Sequence, residues 1–240
     1  MLFNQSDFEV RCEWGIQGVL QLAPISDAII IVDVFSFSTC VEIATARGAT
    51  VFPYNGKREE LEDFAKAREA QVAGFGLGVS GYSLSPHSLL TIPNGYRLVL
   101  PSLNGSTLSL ATGETPTFAG CLRNYQAVAQ AAQRYGKCIS VIPAGERWRD
   151  DGSLRPAYED WIGAGAILSE LSGNLSPESR AARAAFLDAQ SELDQILRSC
   201  ASAKEHIEAG LEQNVGLVGA ANISGCVPFL HEGAYQDQKS

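Results

Sequence analysis

The stretch AIIIVDVFSFSTCVEIATARGATVFPY, residues 28–54, decides the fold class. It opens with AIIIVDV (28–34), an apolar run broken only by Asp33, and such runs are typical of strands buried on both faces of a helix-covered sheet. A helical pattern follows and ends near Gly48. TVFPY (50–54) predicts the next strand, so the stretch predicts a βαβ unit. Candidate caps for the helix are Ser36, Ser38 and Thr39.

The remainder of the chain continues this alternation. Further strands are predicted at YRLVLP (96–101) and KCISVIP (137–143), and helices at KREELEDFAKAREA (57–70), CLRNYQAVAQAAQRYG (121–136) and through much of 178–200. Strands that alternate with helices are typical of the α/β class. Because no Pro/Ser-rich linker or abrupt change of composition divides the sequence, we expect a single domain over residues 1–240.

Composition limits the classes of partner. The chain carries 18 Lys and Arg against 27 Asp and Glu, which gives a formal net charge of -9. This charge repels nucleic acid and anionic membranes, so neither is expected as a partner. An acidic protein that handles an anionic substrate needs a divalent cation or a few well-placed arginines. The longest apolar run, Ala28–Val32, is too short to span a bilayer and no apolar leader opens the chain, so a cytoplasmic protein is expected.

Three patterns that often mark a functional site are interpreted as structural features of this chain. The six cysteines lack CxxC spacing, so we expect reduced, mainly buried thiols. His87, His206 and His231 have no partner at metal-ligand spacing, and histidine-based catalysis is not expected. GLGVSG (76–81) matches a dinucleotide-binding pattern, but a charged helix precedes it where a strand is required, so it is interpreted as a glycine loop.

Three polar stretches are candidates for a site, each with a structural alternative. Asp33 ends a predicted buried strand, where α/β sheets place ligands, or it only organises the turn. LPSLNGST (100–107) can present amides and hydroxyls to phosphate, or it is a plain Asn-Gly turn. Glu159 and Asp160 suit the first turn of a helix electrostatically. The small residues at 163–166 let that helix approach the sheet, which would bring the two carboxylates towards the strand ends.

Taken together, these stretches resemble the 2-phosphosulfolactate phosphatase (ComB-like) family. The resemblance rests on IIIVDVFSFSTCVEIATARGA, GYSLSPHSL, LPSLNGST, RNYQAVAQAA, AGERW followed by AYEDWIGAGAI, and SAKEHIEAGLEQNVGLVGAANISGCVPFL, in this order and spacing. It implies a three-layer α/β/α sandwich around a mixed sheet. It also implies a Mg²⁺-dependent phosphatase that converts 2-phosphosulfolactate, a small anionic substrate, into sulfolactate and phosphate. For the assembly of the protein, a homo-oligomer is one of the options.

The resemblance also implies a site. Asp33, Glu159 and Asp160 are the expected catalytic residues and Mg²⁺ ligands, since Mg²⁺ prefers oxygen ligands. The expected substrate-binding residues are Ser36, Ser38, Thr39, Asn104, Gly105, Ser106 and Thr107. Additional positive charge for the phosphate is expected from Arg123, Arg147 or Arg155.

The chain departs from the family pattern at several polar positions. Ser36 stands where the family has an arginine, and a hydroxyl cannot replace a guanidinium that pairs with phosphate or sulfonate. Ser83 and Asn214 stand where the family has acids. These losses favour an alternative in which the chain keeps the fold without catalysis, as a small-anion binding or interaction protein. A further alternative keeps hydrolysis and changes the substrate to one without a sulfonate.

Overall fold

The computed structural model describes residues 2–74 and 81–238 of the protein. The strands are β1 (Val10–Cys12), β2 (Ala28–Val32), β3 (Thr50–Tyr54), β4 (Gln71–Val72), β5 (Arg97–Pro101), β6 (Thr117–Gly120), β7 (Ile139–Pro143), β8 (Glu146–Arg147), β9 (Leu154–Arg155), β10 (Pro228–His231) and β11 (Ala234–Asp237). The helices are α1 (Gly15–Leu22), α2 (Phe37–Ala46), α3 (Leu61–Lys66), α4 (Gly105–Leu110), α5 (Tyr125–Ala132), α6 (Tyr158–Glu170), α7 (Pro177–Ala189), α8 (Leu193–Ser199), α9 (Ala201–Glu208) and α10 (Glu212–Gly219).

Within the described residues, nine strands form one mixed sheet in the order β1-β7-β2-β6-β10-β11-β3-β5-β4. The strands run parallel within the group β1-β7-β2-β6 and within the group β3-β5-β4. The C-terminal hairpin β10–β11 lies between these groups and pairs antiparallel with β6 on one side and β3 on the other. Strands β8 and β9 form a separate hairpin next to the sheet.

Strand β2 explains why the sheet carries helices on both faces. All five of its residues have no exposed surface. Ala28, Ile30 and Val32 pack into a cluster with α5, α6 and α7, whereas Ile29 and Ile31 pack into a cluster with α1 and α4. Successive side chains of a strand point to opposite faces, so an unbroken apolar run needs a cover on each side. The predicted three-layer α/β/α sandwich around a mixed sheet is therefore confirmed.

Helix α6 approaches the sheet closely because its first turns carry small residues. A Cβ on Gly163 would lie 2.5 Å from a side-chain carbon of Val34, just beyond the end of β2. A Cβ on Gly165 would collide with the carbonyl oxygen of Ala182 in α7. The helix is thus held between the sheet and α7 without room for side chains on these faces. Its N-terminus, with Glu159 and Asp160, consequently meets the strand ends as predicted.

The carboxyl ends of β2 and β5 meet although their strand groups have opposite senses. Three antiparallel steps separate the groups, and without twist these ends would lie at opposite edges of the sheet. The backbone N–H of Gly105 nevertheless lies 3.1 Å from a carboxylate oxygen of Asp33. The sheet therefore has to curl as well as twist between β2 and β5 to bring these two ends together.

Most of the predicted elements are confirmed, with shorter bounds. The predicted helix over residues 57–70 is helical only in α3 and a preceding 3-10 turn (Arg58–Glu60), and the helix over 121–136 is limited to α5. Seven strands in the described part of the chain were not predicted, because each has only two to four residues; these are β1, β4, β6, β8, β9, β10 and β11. All six cysteines are free and five are buried, as expected. Residues 76–80 of the glycine pattern lie outside the described residues.

No helix in residues 2–74 and 81–238 combines the length and apolarity needed to cross a bilayer.

Candidate active site

Asp33 ties two loops together at the end of β2. One of its carboxylate oxygens accepts hydrogen bonds from the Ser36 hydroxyl at 3.0 Å and the Phe37 N–H at 3.1 Å. The other accepts from the N–H of Gly105 at 3.1 Å. Its contact with Gly105 spans 72 positions in the sequence, so Asp33 does more than organise its own turn. It holds the first turn of α2 against the first turn of α4.

Asp160 forms an equivalent cross-link from the first turn of α6. Its Oδ1 accepts from the N–H of Val34 at 2.7 Å, and its Oδ2 accepts from the N–H of Gly145 at 2.8 Å. Val34 follows β2 and Gly145 follows β7, two neighbouring strands of the sheet. A carboxylate that accepts backbone amides is held firmly in place. Asp33 and Asp160 therefore fix four chain segments around one region of the structure.

Glu159 points away from its neighbour, as adjacent helix residues differ in direction by about 100°. Its carboxylate accepts a hydrogen bond from the hydroxyl of Ser202 in α9, and the residue is buried. The Cys200 thiol is a further hydrogen-bonding neighbour of this carboxylate. Of the three predicted carboxylates, Glu159 is the one that accepts no backbone N–H among the described residues, so only side-chain donors compete with a ligand for it.

Glu146 is a fourth carboxyl group of this region, and sequence analysis did not select it. It follows β7 at the start of the β8–β9 hairpin and accepts from the side-chain amide of Asn104 at 3.2 Å. Burial, followed by the negative charges of Asp33 and Glu159, raises its pKa from 4.5 to about 7. The AGERW segment contained this residue, but its significance depends on neighbours that are distant in sequence.

The charges of Asp33 and Glu159 act on the ionisation of the other two carboxyl groups, Glu146 and Asp160. Burial, and then the charges of Asp33 and Glu159, raise the pKa of Asp160 well above the usual aspartate range. Burial also raises the pKa of Asp33, although its hydrogen bonds favour the charged form. Like charges in a poorly solvated region resist simultaneous ionisation. The cluster therefore retains protons or attracts cations, and both properties are common at catalytic sites.

A cavity of about 480 Å³ adjoins this cluster, and we call it the arginine pocket. It is lined by Glu146, Arg147, Trp148, Arg149, Asp150, Arg155, Ala201, Ser202 and Glu205. Glu146 connects the pocket to the carboxyl cluster directly, and Ser202 connects it through its bond to Glu159. The β8–β9 hairpin thus brings three guanidinium groups to the edge of the acidic cluster.

The three arginines of this pocket differ in their existing contacts. Arg147 donates to the side-chain oxygen of Asn104 at 3.3 Å and to a backbone carbonyl at 3.2 Å. Arg149 pairs with Glu205 at 3.1 Å on an exposed surface. Arg155 lies 5.5 Å from the ring of Trp148 and donates no hydrogen bond to any described residue. Arg155 is consequently the guanidinium with its full set of donors available to an anion.

A sequence profile of the family described as 2-phosphosulpholactate phosphatase matches residues 17–233. The chain belongs to this phosphatase family. It is 30% identical over 210 residues to a 2-phosphosulfolactate phosphatase of Methanothermobacter thermautotrophicus, covering 87% of this chain and 88% of that protein. It is 25% identical over 214 residues to a probable 2-phosphosulfolactate phosphatase of Pseudothermotoga lettingae, covering 87% of this chain and 92% of that protein. Members of the 2-phosphosulfolactate phosphatase family are phosphoric monoester hydrolases.

The Mg²⁺ ligands expected from the family resemblance do not form a ready-made three-carboxylate centre. Both oxygens of Asp33 and both oxygens of Asp160 already accept protein donors. In the part of the chain that the structure describes, no group of three or more His, Cys, Asp or Glu side chains has an arrangement suited to a metal ion. Glu159, whose carboxylate has only side-chain donors, fits a different case, because Mg²⁺ commonly binds through one or two carboxylates together with substrate phosphate.

The expected substrate-binding residues of this family member divide into two groups. The hydroxyls of Ser38, Thr39 and Ser106 are buried and donate to backbone carbonyls at the ends of β2 and β5. The N–H of Gly105 is engaged by Asp33. The remaining members are partly exposed near the cluster, and these are Ser36, Asn104 and Thr107. Substrate binding by either group stays a prediction.

The structure also shows where the arginines expected to bind phosphate lie, and where the two positions without the expected acids lie. Arg123 forms a buried ion pair with Glu42 at 2.5 Å and does not line the arginine pocket, whereas Arg147 and Arg155 do. Ser83 and Asn214, at which the family resemblance led us to expect acids, are both buried. Neutral side chains therefore occupy these positions in this phosphatase.

Proposed function

We propose that the protein hydrolyses 2-phosphosulfolactate, or a closely related phosphate ester of a small hydroxy acid, to the hydroxy acid and phosphate with the aid of Mg²⁺. The observation that carries this proposal is the junction at Glu146, where an arginine-lined pocket meets a carboxyl group with a pKa of about 7. Substrate recognition and proton transfer can then take place within one cavity. Membership of the phosphatase family and the names of its relatives supply the reaction class and the substrate.

The arginine pocket suits the charge of such a substrate. A phosphate ester of a sulfonated hydroxy acid carries several negative charges, and the protein as a whole is negative by 9 units. Planar guanidinium groups bind phosphate, sulfonate and carboxylate through paired hydrogen bonds. In the proposal Arg155 binds one anionic group of the substrate, and Arg147 holds the Asn104 loop beside it. This placement supplies positive charge that Ser36 does not.

Glu146 has the properties of the proton donor. Attack of water on phosphorus forms a new P–O bond while the bond to the hydroxy-acid oxygen breaks, and that oxygen needs a proton to leave as a hydroxyl. A carboxyl group that is partly protonated at neutral pH can supply it and can regain a proton from the attacking water. Its bond from Asn104 orients the group. Asp33 and Asp160 act as positioning residues that hold the surrounding loops.

Glu159 is the residue proposed to hold Mg²⁺, with the substrate phosphate as a further ligand. When bound, Mg²⁺ supplies positive charge to the phosphoryl oxygens. Ser202 orients the Glu159 carboxylate through its hydroxyl. The proposal thus narrows the expected ligand set of Asp33, Glu159 and Asp160 to the residue whose carboxylate accepts no backbone amide among the described residues.

The test is phosphate release by purified protein from 2-phosphosulfolactate, 2-phospholactate and a simple alkyl phosphate, with and without Mg²⁺. We expect release to be fastest with 2-phosphosulfolactate and Mg²⁺. An Arg155→Lys variant should lose more activity with the sulfonated substrate than with the alkyl phosphate, because only the former carries the second anion. Absence of phosphate release from all three esters would refute the proposed function.

One observation favours a second candidate, a small-anion binding protein without catalysis. Every oxygen of Asp33 and Asp160 is engaged by protein donors, as expected of groups that only stabilise the fold. Calorimetry with 2-phosphosulfolactate separates the two candidates. Binding without phosphate release, in the presence of Mg²⁺, would select the binding protein.

A further inference from the structure

His206 lies beside the carboxyl cluster, although sequence analysis did not select it. It is on α9, one helical turn after Ser202, whose hydroxyl donates to Glu159. Its ring centroid lies 5.6 Å from that of Phe35, two residues after Asp33. The preceding residue, Glu205, lines the arginine pocket. The imidazole is thus placed between the α9 wall of the pocket and the loop that follows β2.

Asn214 determines which ring nitrogen of His206 carries the proton. The backbone N–H of His87 lies 2.9 Å from one terminal atom of the Asn214 amide. A backbone N–H can only donate, so this atom must be the oxygen. The other atom is then the NH₂ nitrogen, which lies 3.0 Å from Nδ1 of His206 and can only donate to it. Nδ1 is therefore an acceptor, and the proton of the neutral ring is on Nε2.

The Ser85 hydroxyl strengthens this arrangement. It lies 2.8 Å from the Asn214 nitrogen and 3.2 Å from the Asn214 oxygen, and it can accept from the first while donating to the second. Asn214 has no exposed surface, and Ser85 is buried. Protonating Nδ1 would set two donors against each other in a buried position, which is costly. The imidazole is accordingly fixed in one tautomer and one orientation.

The Nε2–H group is the unused end of this chain of hydrogen bonds. No group of the described residues lies within hydrogen-bonding distance of it. Every buried side-chain nitrogen or oxygen in the described part of the protein has a partner, and no described group partners Nε2, which fits a small opening to solvent at this atom. His206 itself is only 5% exposed. A rigid donor with a small opening to solvent, beside a cluster of carboxyl groups and a cationic pocket, is suited to bind an oxyanion.

We propose that His206, fixed by Asn214 as the Nε2–H tautomer, donates a hydrogen bond to an anionic oxygen of the substrate. The proposal rests on the proposed function for the location of the substrate. A neutral donor has an advantage at this position, because it binds an oxyanion without exchanging a proton with the nearby carboxyl groups. His206 is then a substrate-binding residue, and Asn214 is its positioning residue.

The first test is direct and needs no turnover. Long-range ¹⁵N–¹H correlation spectra of the wild-type protein distinguish the two tautomers of each histidine. We expect His206 to show a protonated Nε2 and an unprotonated Nδ1. The Asn214→Asp variant should protonate Nδ1, because a carboxylate can only accept. A wild-type His206 protonated at Nδ1 would overturn the proposal.

The second test separates binding from packing. His206→Phe keeps a ring without the donor, and His206→Gln places an amide N–H near the position of Nε2. Calorimetry with sulfolactate, and with inorganic phosphate as the second probe, should show affinity reduced roughly tenfold or more in the Phe variant and largely retained in the Gln variant. His231→Phe, an exposed histidine on β10, is the matched control and should bind as the wild type does.

The outcomes distinguish this inference from the proposed function. Unchanged affinity of His206→Phe for both probes would overturn the inference even if the enzyme hydrolyses its substrate normally. A wild-type protein that binds sulfolactate through His206 but releases no phosphate would refute the phosphatase proposal and leave the inference intact.

Discussion

Replacing Glu146 by glutamine tests the central element of the proposed mechanism. The pKa of this carboxyl group is raised from 4.5 to about 7 by burial and by the charges of Asp33 and Glu159. At pH 7 about half of the molecules then carry the proton, against roughly 0.3% for a glutamic acid with the ordinary value. Glutamine keeps the size of the side chain and an acceptor for Asn104, but it cannot give up a proton to the leaving oxygen.

We expect the Glu146→Gln variant to lose activity by a factor of about 10²–10⁴, the usual contribution of a positioned proton donor. The wild-type kcat should fall about tenfold per pH unit above roughly pH 7, as the donor loses its proton. The variant should lack this decline. Phosphate release measured from pH 5 to pH 9 gives both results, and Glu208→Gln, an exposed acid of α9 outside the pocket lining, is the control.

The same substitution predicts a change in stability with a defined sign. Because the folded-state pKa of Glu146 exceeds its unfolded value, its contribution to stability is fully present below about pH 4.5 and is lost as the pH rises through about 7. The difference corresponds to at most about 3 kcal/mol, and partial solvent access reduces it. Between pH 5 and pH 8, chemical denaturation should therefore show a smaller decrease in the free energy of unfolding for the variant than for the wild type. Identical pH–rate profiles and identical losses in both proteins would refute the role given to Glu146.

Three further predictions concern a close contact beside the site, a buried ion pair and the requirement for Mg²⁺. Gly105→Ala should destabilise the protein by about 1–3 kcal/mol, because its Cβ would collide with the ring of Phe37; in the same denaturation assay Gly216→Ala, which meets open space, should be neutral or stabilising. Arg123→Met should cost about 3–5 kcal/mol by leaving Glu42 buried without its partner, and the double variant with Glu42→Met should recover much of this loss. Chelation by EDTA should abolish phosphate release and added Mg²⁺ should restore it; full activity in EDTA would remove Mg²⁺ from the proposal.

Local patterns were sufficient for the central elements of the fold. The apolar run at 28–32 predicted a doubly covered strand, and the small residues of α6 predicted its close approach to the sheet. The C-terminal hairpin β10–β11 was missed, since two four-residue strands contain too few residues for a periodic signal. Its place in the middle of the sheet depends on pairing with β6 and β3, which lie more than a hundred residues earlier.

The candidate site shows the same division between local and distant information. Sequence placed Asp33, Glu159 and Asp160 at strand ends and a helix start, and the structure gathers all three. It did not indicate that Asp33 accepts a hydrogen bond from the N–H of Gly105, or that Asp160 accepts one from the N–H of Gly145. Nor did it indicate Glu146, since the displaced pKa of that group arises from burial and neighbouring charges.

By itself, the sequence determined the fold class, the family and the identity of most polar groups near the carboxyl ends of β2 and β5. Periodicity and short motifs record these properties because they depend on neighbouring residues. Tertiary structure alone decided which carboxylates accept backbone amides, which arginine has no hydrogen-bond partner among the described residues, and which tautomer His206 adopts. Each of these depends on hydrogen-bond geometry and desolvation between residues far apart in the chain, and no local pattern of residues records such contacts.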